Sequence, residues 1–155
     1  MTLTAPPRLI ITVFGRPITQ GSKTNTRYGG MRDANAKTLK PWRDAVTTEA
    51  EDATRYTDTI TAPVRVWIRF TFNRPTSHYR TGRNGHLLKD QAPLFPTAKN
   101  DIDKLQRACF DALTDAHVWG DDGQVIDVRA RKFWAGEHEY ALPRAGVQLI
   151  LEEVA

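Results

Sequence analysis

The strictest constraint on the fold lies between Val64 and Phe72. There Val64, Val66, Ile68, Phe70 and Phe72 alternate with Arg65, Trp67, Arg69 and Thr71. Side chains of an extended chain point to opposite faces in turn, so this stretch reads as a strand with one core face and one basic, aromatic face. Trp67 between two arginines suits stacking on a nucleobase or, as a structural use, on a neighbouring helix.

Three further stretches carry strand patterns. Leu9, Ile11 and Val13 alternate with Arg8, Ile10 and Thr12; Ile126, Val128 and Ala130 alternate with Asp127, Arg129 and Arg131 between Val125 and Trp134; Val147, Leu149 and Leu151 close the chain. Helical spacing appears twice. Trp42, Ala45, Val46, Ala50 and Ala53 mark one face, with Pro41 placed in the first turn, where its missing N–H costs nothing. Ile102, Leu105, Cys109, Ala112, Leu113 and Ala116 mark the other. The expected order is β-α-β-loop-α-β-β, an α/β (α+β) fold with a small mixed sheet of about four strands and two main helices on it. At 155 residues the chain, 1–155, reads as a single domain.

Two polar stretches interrupt this order. Residues 20–37 are rich in Gly, Thr and Asn, carry Lys23, Arg27, Arg32 and Lys37, and show no apolar period; they read as a mobile loop, either closing on a phosphate backbone or serving as a solvated connector. Residues 73–100 contain Pro75, Gly82, Gly85, Pro93 and Pro96, and carry His78, Tyr79, Arg80, Arg83, His86 and Lys89 towards Asp101. Long loops inside compact domains are usually functional or disordered. The bases of this one are placed to grip phosphates near Asp101. Gly136 to Gly146 reads as a polar hairpin connection.

Net charge is only +4, but it is unevenly spread: bases run from Lys23 to Lys99 and acids from Asp101 to Asp127. A polyanion would dock on the first part while cations neutralise the second. No apolar run approaches the roughly 18 residues of a membrane span, and the first residues lack the pattern of a secretory signal. The cytosol is the expected compartment. Cys109 falls on an apolar helix face and reads as a core residue, and the histidines lack zinc-ligand spacing.

The acids are concentrated. Asp101 and Asp103 open the second helix, and Asp121 and Asp122 follow it. As simple helix-terminus charges they would gain about 0.3 to 1 kcal/mol each, with Asn100 or Asp101 as cap. If the Asp121/Asp122 turn folds back against the helix start, two carboxylates about 5 Å apart repel by roughly 3 kcal/mol, which the dipole cannot offset. A divalent cation could. Asp101, Asp103 and Asp122 are therefore candidate ligands of a hard cation, against the alternative of a capped helix and a solvated turn. Likewise Arg107, one turn beyond Asp103, either stabilises reacting phosphate or joins Asp103 and Asp111 in a surface ladder of ion pairs.

The pattern Asp101-x-Asp103-Lys-Leu, Phe110-Asp-Ala-Leu-Thr and Trp119-x-Asp121-Asp122-x-Gln124-Val-x-Asp127, followed by Arg129 and Lys132, resembles the RusA family of Holliday-junction resolvases. The Gly15-x-Pro17-x-x-Gln20-Gly21-Ser22-Lys23 segment and the Ser77–Gly82 loop look like phage and actinobacterial members. The resemblance implies a homodimeric endodeoxyribonuclease that uses Mg²⁺, with Mn²⁺ as substitute, on branched four-way DNA. It implies Asp101, Asp103 and Asp122 as the acidic active-site residues and metal ligands. Where the family often has a catalytic lysine this chain has Arg107, which keeps the charge but cannot surrender a proton. Lys23, Arg27, Arg32, Lys37, Arg80, Arg83 and Lys132 are the expected DNA contacts. The rival reading is a non-catalytic branched-DNA-binding protein using the same basic loops.

Overall fold

The computed structural model describes residues 8–21, 23–25, 31–33 and 36–155. Strand β1 (Arg8–Phe14) is followed by the short strands β2 (Lys23–Asn25) and β3 (Met31–Asp33), then helix α1 (Ala36–Ala53) and strand β4 (Val64–Phe72). Helix α2 (Ile102–Asp115), strand β5 (Val125–Trp134) and strand β6 (Gly146–Glu153) complete the chain. The expected order is recovered, with the β2–β3 ribbon added.

That ribbon occupies part of the stretch 20–37 expected as a mobile loop, of which residues 22, 26–30 and 34–35 lie outside the described residues. Lys23, Thr24 and Asn25 pair antiparallel with Asp33, Arg32 and Met31, and α1 already begins at Ala36. A two-stranded ribbon is held by backbone pairing and needs no apolar period, so hydrophobic patterning could not reveal it. The earlier helix start also moves Pro41 out of the first turn and into the helix interior, where it denies the Lys37 carbonyl its usual partner.

β1, β6, β4 and β5 form one mixed sheet in that order. β6 runs antiparallel to both β1 and β4, whereas β5 runs parallel to β4. The connection from Gly136 to Gly146 is therefore not a hairpin, because β6 does not neighbour β5. It crosses the end of β4, held there by Leu142 N–H donating to Thr71 Oγ1 at 2.9 Å and Ala145 N–H to Asn73 Oδ1 at 3.0 Å. Gly146 begins β6 where a Cβ would stand 2.3 Å from the Val13 carbonyl oxygen, so no larger residue fits the β1–β6 approach.

Both helices cover one face of the sheet. Val64, Val66, Ile68 and Phe70 are fully buried there, with Leu39, Trp42, Val46 and Ala50 of α1 and Leu105, Cys109, Ala112 and Leu113 of α2. Ala53, expected on the apolar face of α1, is exposed at the helix end. Burial pushes the Cys109 thiol up to about 12, which makes it an inert core residue as expected. On the other face Trp67 packs against arginine side chains rather than a helix. Arg8 and Arg65 lie over its ring at 5.1 and 6.0 Å. β5 is an edge strand, which leaves Ile126 61 % and Val128 40 % exposed despite their apolar pattern. Among the described residues no helix is long and apolar enough to cross a membrane.

Candidate nuclease site

β4 and β5 are parallel, so the chain must return from the end of one to the start of the other, and α2 makes that return. The helix consequently runs against the strands. Its start, Asp101, lies at the carboxyl end of β4, and its end leads to Asp122 at the entrance of β5. The register measures the separation: Lys132, which touches Asn100, pairs with Phe70, whereas Val125, just after Asp122, pairs with Val64. Six strand residues at about 3.3 Å each span roughly 20 Å, so the two acidic groups lie towards opposite ends of the strand pair. Within one chain the Asp121/Asp122 turn does not fold back against the helix start. Among the described residues no group of three His, Cys, Asp or Glu is placed to hold one metal ion.

At the helix start, Asn100 adopts a left-handed φ of 66°. Its carbonyl and that of Lys99 accept from the Lys132 ammonium at 3.0 and 3.4 Å. Burial pushes that ammonium below the usual lysine range, and the nearby Asp101 carboxylate pulls it back up. Lys132 thus clamps the turn that delivers Asp101. Asp101 occupies the N-cap position but caps nothing with its side chain; it faces Lys104 Nζ at 3.4 Å. Asp103 is exposed in the first turn. Its carboxylate makes no hydrogen bond or ion pair among the described residues.

The two aspartates after the helix divide their work. Asp121 accepts from Gly123 N–H at 2.9 Å, and Gln124 Oε1 accepts in return from Asp121 N–H at 3.1 Å, a reciprocal cap. Gln124 also donates to the Ile60 and Ala62 carbonyls at 2.9 and 3.0 Å, which fixes the turn to the segment entering β4. Asp122 is left exposed. Its carboxylate, too, has no partner among the described residues, so the cap engages Asp121 and leaves Asp122 unengaged.

The ladder of helix ion pairs is not formed. Arg107 pairs with neither Asp103 nor Asp111, and Asp111 instead accepts from the Gln20 side-chain amide. Gln20 N–H also donates to the Lys104 carbonyl at 3.0 Å, so the segment before β2 lies along α2. There Arg107 passes Gly21, whose φ of +119° and missing side chain leave room for the guanidinium. Gln20 as the anchor of that segment was visible in the sequence only as part of a motif.

The expected DNA contacts are dispersed. Lys37 is exposed near the start of α1, Lys23 and Arg32 lie on β2 and β3, and Arg27 lies outside the described residues. Arg83 is exposed on a single helical turn. Arg80 is engaged within its own loop, donating to the Leu88 carbonyl at 3.1 Å and to Asp90 at 3.0 Å. That loop is built rather than open: Tyr79 bridges Leu88, and Arg74 holds its base by donating to Glu137 at 2.6 and 2.8 Å and to His78 Nδ1 at 3.1 Å. His78 therefore serves a structural contact.

Residues 15–142 match the family described as "Endodeoxyribonuclease RusA". The chain is 30 % identical over 151 residues to "Uncharacterized protein YqaN" of Bacillus subtilis (strain 168), covering 93 % of this chain and 95 % of that protein. Over 34 residues it is 56 % identical to "Crossover junction endodeoxyribonuclease RusA" of Escherichia coli (strain K12), a match spanning 22 % of this chain and 28 % of that protein. The RusA protein of Enterobacteria phage 82 matches to the same extent. With its α+β fold and with Asp101, Asp103 and Asp122 exposed at the two ends of the helical crossover, this chain belongs to the RusA family of crossover-junction endodeoxyribonucleases.

Proposed function

We propose that the protein resolves four-way DNA junctions as a Mg²⁺-dependent homodimer, hydrolysing paired phosphodiesters with Asp101, Asp103 and Asp122 as the acidic groups. The observation that carries the reading is that Asp103 and Asp122 are exposed carboxylates without partners among the described residues, while their neighbours are occupied in caps and clamps. Carboxylate oxygens are the hard donors that Mg²⁺ or Mn²⁺ prefers. The described residues of one chain supply too few of them at one place. A second copy related by two-fold symmetry would bring Asp122 of the partner subunit to Asp101 and Asp103, and would set two sites on symmetry-related strands of a junction.

When bound, the metal would supply a water of lowered pKa and neutralise charge at the scissile phosphate. Asp101 and Asp103 would hold it from one chain. Lys132 orients Asp101 through the carbonyls before it, and Arg107, exposed one turn beyond Asp103, offers charge to the reacting phosphate without exchanging a proton. The basic loops would grip the arms. Recombination, repair or phage DNA processing, in the cytosol, are settings that fit this activity.

The decisive test is a labelled four-way junction beside a linear duplex, with Mg²⁺ and with chelator. Paired nicks on the junction alone, dependent on metal, are expected. Asp103→Asn should bind the junction and cut nothing. Mixing Asp103→Asn with Asp122→Asn subunits should restore nicking at one of the two sites, because one of the two shared sites is then intact. Unrestored activity in mixed dimers would place all three acids in one chain's site. Binding without metal-dependent nicking would favour the non-catalytic junction binder.

A further inference from the structure

Phe72 closes β4, Trp134 closes β5, and the two pair in register. Both are buried. With Pro96 they line a cleft of about 480 Å³ that is also bounded by Arg16, Lys99 and Asn73. Lys99 and Asn100 lead directly into Asp101, so the cleft opens beside the carboxylates at the start of α2.

Its wall cannot swing in to fill it. Trp134 Nε1 donates to the Pro93 carbonyl at 3.0 Å, the Arg74 guanidinium lies over the ring at 4.9 Å and His78 meets it edge-on at 5.2 Å. Asn73 is oriented by the hydrogen bond its Oδ1 accepts from Ala145, which leaves its amide N–H groups to donate elsewhere. Rigid apolar walls, an amide donor and two cations at the rim match the chemistry of a nucleobase on its phosphodiester chain. The ring would contact the aromatic walls, an acceptor on the base edge would meet Asn73, and the flanking phosphates would meet Arg16 and Lys99.

We propose that this cleft receives one nucleobase of the strand being cut, unstacked at the branch point, and thereby sets which phosphodiester reaches Asp101 and Asp103. The inference rests on the junction-nuclease reading. Bases beside a branch point have fewer stacking partners to lose, so a structure-selective enzyme can draw one out at less cost than from a continuous duplex.

The test is an abasic scan. A single abasic nucleotide is walked through each arm near the branch point, and junction affinity is measured in chelator, where binding is read without cleavage. One position, repeated by the junction's symmetry, should lose about tenfold in affinity while its neighbours change little. Ala98, exposed on the cleft wall, is replaced by Phe to fill the space. Ala98→Phe should weaken the intact junction by a similar factor, and the sensitive abasic position should then cost nothing further. Absence of a sensitive position in the wild type, or its full retention in Ala98→Phe, overturns the proposal. Should circular dichroism show that Ala98→Phe is unfolded, the wild-type scan decides alone. A sensitive position in a protein that binds but never nicks with Mg²⁺ would support base capture by the cleft, refute the nuclease reading and overturn the cleft's part in choosing the phosphodiester.

Discussion

Replacing Glu137 by Gln should loosen the loop that frames the site, and the structure sets the size of the effect. The Arg74 side chain is 2 % exposed and Glu137 is 37 % exposed. Arg74 donates to both carboxylate oxygens, at 2.6 and 2.8 Å, while its guanidinium also lies 4.9 Å from the centre of the Trp134 ring. Removing one partner of a fully buried pair costs about 3 to 5 kcal/mol. Solvent at Glu137 and the acceptor that Gln retains reduce this to about 2 kcal/mol. For a chain of this size each kcal/mol lowers Tm by about 2 to 4 °C, so a fall of about 4 to 8 °C is expected. The sign of the pH dependence follows from the carboxyl. Hydrogen bonds from Arg74 hold Glu137 below its ordinary 4.5 in the fold. The native state therefore binds fewer protons there than the unfolded chain, and the pair's contribution is full above pH 4.5 and lost as pH falls through the folded value. Thermal melts followed by circular dichroism should show the full deficit at neutral pH and a shrinking one below that range. Adding Arg74→Met to Glu137→Gln should recover much of the loss. Equal melting temperatures at neutral pH, or a deficit unchanged in acid, would refute the reasoning.

Other substitutions probe the site more directly. Lys132→Met removes the donor to the Lys99 and Asn100 carbonyls; it should cost about 1 to 3 kcal/mol in thermal melts and lower junction cleavage far more than junction affinity, with Lys132→Arg recovering part. Gly21→Ala places a Cβ 2.5 Å from an Arg107 nitrogen at a φ of +119°. It should destabilise the chain by about 1 to 2 kcal/mol and slow cleavage of bound junction in single-turnover assays as Arg107 is displaced. Lys37→Ala should weaken junction binding and flatten its dependence on salt, by a slope change of about one counterion for a phosphate contact; an unchanged slope would remove Lys37 from the interface.

How much of this was legible in the residues follows from which interactions are local. Side-chain alternation and helical spacing arise within a few neighbouring residues, so β1, β4, β5, β6 and both helices could be read directly, as could the core face of α2 and the burial of Cys109. The acidic pairs were equally plain. Their division into structural and available members was not, since Asp121 is occupied by Gly123 and Gln124 in a cap whose geometry only the folded turn displays. Lys132 stood in the sequence as one more base, and its contact with the carbonyls before Asp101 depends on a strand and a loop more than thirty residues apart meeting in space.

By itself the sequence determined the four strands of the main sheet, both helices, the core faces of β4 and α2 and the positions of the acidic residues, because these follow from side-chain chemistry and short periods. Only the tertiary structure decided where those elements stand. Inserting β6 between β1 and β4 made β5 an edge strand and left Ile126 and Val128 exposed. Pairing β5 parallel to β4 forced α2 to run back along the sheet, which parted Asp101 and Asp103 from Asp122. Strand order and direction are set by long-range backbone pairing, which no local pattern encodes, and here that pairing is the physical reason a single chain carries its acidic groups at opposite ends of one helix.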